Sequence, residues 1–126
     1  MIRNAARGET FSLKSDGLQA RSLCYSLDCA SAVLTVLLEN EENGIYNIAF
    51  PEPAPTIRTV AEYCAGIAHT AVQTADCRPE EFGGFSKVRD AVLDSGKLLN
   101  ADWRPVFDWK TGFAHSIGIR KESGEV

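Results

Sequence analysis

Residues 15–50 read SDGLQARSLCYSLDCASAVLTVLLENEENGIYNIAF, and this stretch decides the fold. In its middle part, residues 27–39, the polar positions are Asp28, Ser31, Thr35 and Glu39. Because these positions are three or four residues apart, they form one narrow polar stripe along an otherwise apolar helix. The pattern therefore predicts a helix that other parts of the fold cover on most sides.

Residues 44–50, GIYNIAF, carry the second part of the signal. The run is apolar on both faces except at Asn47, which is typical of a strand buried between two layers of helices. Such a strand belongs to a parallel sheet with helices around it. We therefore predict an α/β protein, a small mixed fold of short strands and about four helices.

The rest of the chain supplies shorter elements around this centre. An initial helix over residues 1–7 is predicted to end at Gly8, and the tail over residues 121–126 is expected to fray. Cap residues and alternation predict further helices after Thr56, Asp94 and Asp108, and short extended segments at 10–14, 23–25, 70–75 and 91–93.

Length and charge exclude several classes of protein. A chain of 126 residues is long enough for one domain and too short for a second. The net charge of -4 argues against a nucleic-acid partner, which would require clustered lysine and arginine. No apolar run approaches the roughly 20 residues needed to cross a bilayer, and residues 1–7 lack a signal-peptide core. We expect a cytoplasmic protein with no membrane partner.

The four cysteines show no Cys-x-x-Cys pair. A zinc site built from them with His69 and His115 would lack the paired ligand spacing of known zinc sites. We therefore expect free, mostly buried thiols and no metal ion.

Several motifs, taken in order, resemble one enzyme family. They are FSLKSDGLQARSLCYSLD at 11–28, GIYNIA at 44–49, TIRTVAE at 56–62, DSGKL at 94–98, WRP at 103–105 and DWKTGF at 108–113. Together they are similar to the closing part of the extended short-chain dehydrogenase/reductases, in the NAD-dependent sugar-nucleotide epimerase/dehydratase family. The resemblance runs from Met1 to about residue 119.

Two motifs that carry the family's chemistry are not in this sequence. It has no Gly-x-x-Gly-x-x-Gly loop after a strand, the pattern that binds a pyrophosphate. It also has no Tyr-x-x-x-Lys pair for proton transfer, since Tyr25, Tyr46 and Tyr63 are followed four residues later by Cys29, Phe50 and Ile67. The resemblance implies that residues 1–120 are the carboxyl-terminal, substrate-binding portion, inactive alone, and that NAD binds to an absent amino-terminal Rossmann half.

The resemblance also implies three substrate-binding residues. Arg21 matches an arginine that contacts the nucleotide diphosphate, and a guanidinium pairs bidentately with phosphate oxygens; a surface arginine or a local salt bridge is the alternative. Asn47 matches a strand asparagine that touches substrate in some members, or is an amide satisfied by backbone groups. Arg89 is the candidate for a second phosphate-binding arginine. In one register the matching position is Gly84, and Lys87 is an alternative.

No catalytic residue is expected in this chain. Asp94 and Lys97 are predicted to cap and pair a helix, and His69 and His115 to have structural or solvent-facing roles. The nucleotide base, the sugar and the choice between epimerase, dehydratase and decarboxylase stay open.

Two functional classes remain. The chain is either the sugar-nucleotide-binding portion of such an enzyme, or a stand-alone binding or assembly module that kept the fold without the chemistry. If the helix at 27–39 and the strand at 44–50 normally pack on the absent half, their apolar faces are uncovered here. We then expect a homodimer or a strand-exchanged oligomer of the isolated chain.

Overall fold

The computed structural model of the chain describes residues 1–39, 44–51, 53–75 and 88–124. The described residues form five helices and two strands. In chain order they are α1 (Ile2–Arg7), β1 (Phe11–Leu13), α2 (Ser26–Glu39), α3 (Ile57–Ala68), β2 (Val72–Thr74), α4 (Gly96–Asn100) and α5 (Trp109–Glu122). The predicted small mixed α/β fold is confirmed, with one more helix than the expected four.

The two strands form a short parallel sheet. Phe11 pairs with Val72, and the register continues to the pair of Leu13 with Thr74. Phe11 and Leu13 point to the buried side, whereas Ser12 between them is exposed. This sheet packs on α3, so the predicted parallel pairing is present on a smaller scale than the sequence suggested.

The main core lies between α1, α3 and α5. Its buried members are Ala5, Phe11, Val60, Cys64, Ala65 and Ile117. Local signals fix the ends of these helices: α1 ends at Gly8, whose φ of 68° is in the left-handed region that glycine tolerates best. At the start of α3, the Thr56 side chain accepts a hydrogen bond from the Thr59 amide, as a helix cap does.

A second core joins α2 to α4 through Ala32, Leu98 and Trp103, all at most 2% exposed. The side of α2 that enters this core contains Asp28 and Ala32, which are buried. The opposite side of α2 consists of large apolar residues that are 48% to 79% exposed: Leu27, Val33, Leu34, Leu37 and Leu38. We call these five residues the α2 apolar face. No described residue covers it, although the sequence pattern predicts a covered helix.

The strand predicted at 44–50 is wrong for this chain. No described residue pairs with the segment in a strand ladder, Ile45 is 89% exposed and Asn47 is exposed, while Ala49 is buried. Within the described ranges, its backbone is linked to another segment by one hydrogen bond, from the Phe50 amide to the Leu23 carbonyl. A parallel strand needs neighbours along its length, and the described residues do not provide them.

Two other predicted extended segments are reduced. Residues 23–25 are not in a strand, and in residues 91–93 Ala91 alone forms a bridge, with Arg21. The weak alternation at 70–75 does contain β2. The last helix reaches Glu122, two residues into the segment expected to fray. Residues 125 and 126 lie outside the described ranges, so fraying there stays a prediction.

The closing helices begin close to where the sequence predicts. Asp108 caps α5, because its carboxylate accepts the Thr111 amide at 2.7 Å. Hydrogen bonds from Thr111 to this carboxylate lower the pKa of Asp108 from its ordinary value. The Asp94 carboxylate accepts the Gly96 amide at 2.7 Å. Ser95, and not the predicted Asp94, occupies the cap position of α4. Within the described part of the chain, every helix is too short or too polar to span a membrane.

Candidate functional site

The predicted glycine turn brings the segment with Arg21 onto α3. The Asp16 side chain accepts the Leu18 amide at 3.1 Å, and Gly17 has a φ of 71°. A side chain at Gly17 would lie 3.0 Å from Cβ of Arg58, and the Arg58 amide donates to the Gly17 carbonyl at 2.8 Å. Both the positive φ and this close approach require glycine.

Residues 19–22 then run between two other segments. On one side, Ala20 forms an antiparallel bridge with Thr56, and the Arg21 amide donates to the Pro55 carbonyl at 3.2 Å. On the other side, Arg21 forms a parallel bridge with Ala91. The backbone at Arg21 is therefore held from both sides.

The Arg21 guanidinium donates to backbone carbonyls. Nη1 donates to the Ala20 carbonyl at 2.7 Å and to the Arg89 carbonyl at 2.9 Å, and Nη2 donates to the Val88 carbonyl at 3.1 Å. Since a guanidinium has five N–H donors, the Nε–H and one Nη2–H have no partner among the described residues. No described carboxylate pairs with it, so the local salt bridge weighed as the alternative for Arg21 is not found there.

The structure brings the segments of Arg21 and Arg89 into contact, whereas the recognised contact of Asn47 is with Asp94. The Arg89 carbonyl accepts from Arg21, and the Arg89 side chain is exposed. The Asn47 side-chain amide donates to the backbone carbonyl of Asp94 at 3.0 Å. A backbone group thus satisfies this amide, which is the alternative role considered for Asn47. Gly84 and Lys87, the other positions considered for a second phosphate contact, lie outside the described residues.

Asp94 and Lys97 make structural contacts that differ from the predicted cap and helix pair. Asp94 accepts the Gly96 amide, and its carbonyl accepts from Asn47. The Lys97 ammonium lies 4.2 Å from the centre of the Tyr46 ring, a cation–π contact. Both residues thus attach residues 46 and 47 to the start of α4.

Sequence reasoning missed the full role of Asp28. Its carboxylate is 3% exposed and accepts two backbone amides, those of Val106 and Phe107, each at 2.9 Å. Asp28 therefore links the start of α2 to the turn that follows Trp103 and Pro105. Asp28 is the last residue of the motif at 11–28, which was the one sequence signal for it. Its partners lie more than 70 residues away in the chain, so the sequence did not reveal them.

A pairing of Tyr25 with His115 was also missed. The Tyr25 hydroxyl lies 2.6 Å from Nδ1 of His115, and the Tyr25 ring packs edge-on against Phe107. A side chain at Gly112 would come within 2.9 Å of the Tyr25 ring, so glycine makes room for it. The two partners are 90 positions apart, which no local pattern reveals.

A cavity of about 230 Å³ lies beside this pair, between α1, residues 23–26 and α5. Its walls are mainly apolar and include Ile2, Leu23, Trp109 and Phe113. None of the three predicted substrate-binding residues lines it. A cavity with these walls is unsuited to a diphosphate, which requires cationic and N–H donors.

The described cysteines are unpaired. Burial and then the hydrogen bond with Cys29 raise the pKa of the Cys24 thiol from 9.0 to about 12, and burial raises that of Cys64. Cys24, Cys29 and Cys64 are free, as expected, but only Cys64 of these three is buried, and Cys24 and Cys29 are partly exposed. Cys77 lies outside the described ranges. Across residues 1–39, 44–51, 53–75 and 88–124, no cluster of three or more His, Cys, Asp or Glu side chains could hold a metal ion.

Comparison with known proteins finds one family model that matches part of this chain. The model of the NAD-dependent epimerase/dehydratase family matches residues 1–49. Comparison with curated protein sequences gives no match.

Solved structures match almost the whole chain. A dTDP-glucose 4,6-dehydratase from Bacillus anthracis, in complex with NAD, has a TM-score of 0.80 at 21% identity, over 98% of this chain and 38% of its own. A UDP-glucose 4-epimerase from Thermus thermophilus, also with NAD, has a TM-score of 0.73 at 26% identity, over 99% and 39%. A UDP-glucose 4-epimerase from Thermotoga maritima, in complex with UDP-glucose, has a TM-score of 0.77 at 20% identity, over 97% and 38%.

The chain thus spans about two fifths of the length of these enzymes. Its fold is a part of the extended short-chain dehydrogenase/reductase fold, and its first 49 residues match the model of the NAD-dependent epimerase/dehydratase family.

Proposed function

We propose that this chain is the sugar-nucleotide-binding portion of an NAD-dependent epimerase, dehydratase or decarboxylase, and that it is catalytically inactive by itself. The ligand is a nucleoside diphosphate sugar. The observation that carries the proposal is the Arg21 guanidinium, which three backbone carbonyls hold in one orientation while two of its donors have no described partner.

Orientation of the guanidinium favours binding of a diphosphate. A free arginine side chain loses rotamer entropy when it binds a ligand, whereas Arg21 is already held by Ala20, Val88 and Arg89. A charge-assisted hydrogen bond to phosphate contributes about 1.5–3 kcal/mol. The exposed Arg89 side chain adds a second positive charge in the adjoining segment.

The residues of this chain do not fit NAD. A dinucleotide site needs a glycine-rich loop and a helix N-terminus directly after a strand. After β1 the chain enters the Asp16-Gly17 turn, and the next helix begins at Ser26. The sequence after β2 contains Gly83-Gly84 without a third glycine at the required spacing. We therefore assign NAD and the acid/base groups to a Rossmann half outside this sequence.

We assign that Rossmann half as the partner of the α2 apolar face. Large apolar side chains exposed together on one helix are the usual mark of an interface. A chain without the partner half is expected to bury the same face by association, as a homodimer or a strand-exchanged oligomer. The cytoplasmic location expected from the sequence stays a prediction.

Association of the isolated chain is tested by one substitution with a matched control. Leu34→Glu places a charge in the α2 apolar face, where Leu34 is 56% exposed, and should shift the sedimenting species towards monomer and reduce hydrophobic-dye binding. Ile119→Glu changes a residue that is 51% exposed on α5 and should leave both unchanged. A wild-type chain that is strictly monomeric and binds no dye would contradict this partner assignment.

Ligand binding is tested by titrating UDP, dTDP and CDP sugars into the chain by calorimetry. We expect binding of at least one of them, weakened about 10- to 100-fold by Arg21→Ala, because a charged hydrogen-bond donor to phosphate is lost. Arg3→Ala removes the same charge from an exposed position on α1 and should bind like wild type. Equal weakening by both substitutions would indicate a net-charge effect, and absence of binding by the wild-type chain would refute the proposal.

A further inference from the structure

Asp90 makes a contact that no motif assigned. Its carboxylate accepts the Ala20 amide at 2.9 Å, and the next residue, Ala91, donates its own amide to the Ala20 carbonyl at 3.1 Å. Both backbone polar groups of Ala20 are thus bound by two consecutive residues. Ala20 is the residue immediately before Arg21.

The contacts across these two segments are reciprocal. Asp90 uses its side chain to bind the backbone of residue 20, and Arg21 uses its side chain to bind the carbonyls of Val88 and Arg89. Ser22 extends the contact. Its amide donates to the Ala91 carbonyl at 3.0 Å, and its hydroxyl accepts a hydrogen bond from the Leu93 amide at 2.8 Å. We call this set of contacts between residues 20–22 and 88–93 the clasp.

The Asp90 carboxylate forms no ion pair with a cation in the described part of the chain. It binds the Ala20 amide, although Arg89 precedes Asp90 in the chain and Arg21 follows Ala20. Both cations therefore keep their charge available for an anionic ligand. Direct contact between Asp90 and a diphosphate would be repulsive, so any contribution of Asp90 to binding must come from holding the backbone.

We propose that Asp90 is a positioning residue for nucleotide-diphosphate binding, which fixes residues 88–91 on residues 20–22 so that Arg21 and Arg89 face the ligand from adjoining segments. This inference rests on the proposed function. It separates two physical effects of Asp90 that have opposite signs. Its charge alone opposes the binding of an anion, whereas its hydrogen bond to Ala20 favours it.

Two substitutions at position 90 distinguish these effects. Asp90→Ala removes both the charge and the hydrogen bond. If positioning dominates, this variant should bind the UDP, dTDP or CDP sugar that wild type binds about tenfold more weakly. A tenfold loss is equivalent to one hydrogen bond. Asp90→Asn removes the charge and keeps an oxygen that accepts the Ala20 amide, so it should bind at least as tightly as wild type. Asp102→Asn, at a side chain that is 92% exposed, controls for the loss of one negative charge.

Amide hydrogen exchange measured without ligand gives an independent readout of the clasp. Asp90→Ala should accelerate exchange at the amides of Ala20, Ala91 and Leu93 by about tenfold, and Asp90→Asn should not. Unchanged exchange in Asp90→Ala, or binding by Asp90→Ala that equals or exceeds wild type, would overturn the positioning role. If wild type binds no sugar nucleotide while exchange responds as expected, the proposed function fails, and Asp90 is left with a purely structural contact.

Discussion

Replacing Asp28 with alanine is expected to lower the free energy of unfolding by about 3 kcal/mol. The substitution removes a buried carboxylate that accepts the amides of Val106 and Phe107, each at 2.9 Å. Asp28 is 3% exposed and both hydrogen bonds are part-buried, so water would replace the lost acceptor only in part. A buried donor without a partner costs about 1–3 kcal/mol. Urea unfolding followed by circular dichroism measures the loss.

A matched pair of amide substitutions separates the hydrogen bonds from the charge. Asp28→Asn retains one acceptor oxygen but turns an NH2 group towards a backbone N–H, so it should lose roughly half or more of the same free energy. Asp102→Asn removes an equal charge from a side chain that is 92% exposed and should change stability little. Similar small effects at both positions would show that the link from Asp28 to residues 106 and 107 is weaker than its geometry indicates.

Replacing Trp103 with alanine is expected to cost roughly 3–5 kcal/mol, the usual range for a buried tryptophan. Trp103 is 2% exposed and packs with Ala32 and Leu98, and its Nε1 donates to the Ser31 hydroxyl at 3.0 Å. The substitution leaves a cavity where α2 meets α4. Because this core is small, the loss should appear in chemical denaturation as a lower midpoint.

Trp103→Phe serves as the control for this site. It keeps an aromatic ring in the core but removes the hydrogen bond to Ser31, so it should cost distinctly less than alanine, on the order of 1–2 kcal/mol. An alanine variant as stable as wild type would mean that the second core contributes little to folding of the isolated chain.

Local signals in the sequence predicted the helices well. The stripe over residues 27–39 became α2, Ser26–Glu39, and the caps at Thr56 and Asp108 were both confirmed. Each of these depends on groups within four positions of one another, since a helix satisfies its own backbone hydrogen bonds and a cap side chain reaches only the first turn. The glycine turn before Arg21 belongs to the same class of local signal.

The candidate site was only partly predictable. The resemblance singled out Arg21, but nothing near it in the sequence indicates that its guanidinium binds the carbonyls of Val88 and Arg89, 67 and 68 positions away. Asp90 went unnoticed for the same reason, because its partner Ala20 is 70 positions away. The pairing of segments distant in the chain is decided by packing, which a single sequence does not show.

By itself, the sequence determined the order of the helices, the caps of α3 and α5, the turn at Gly17 and the family resemblance, since all of these depend on neighbouring residues. Only the tertiary structure decided that α2 buries Asp28 and exposes its leucines, and that residues 44–50 stay outside a sheet. It also decided that residues 20–22 join residues 88–93. A helix forms its backbone hydrogen bonds within itself. A strand or a polar site needs partners from elsewhere in the chain, so whether it forms depends on which partners the fold brings next to it.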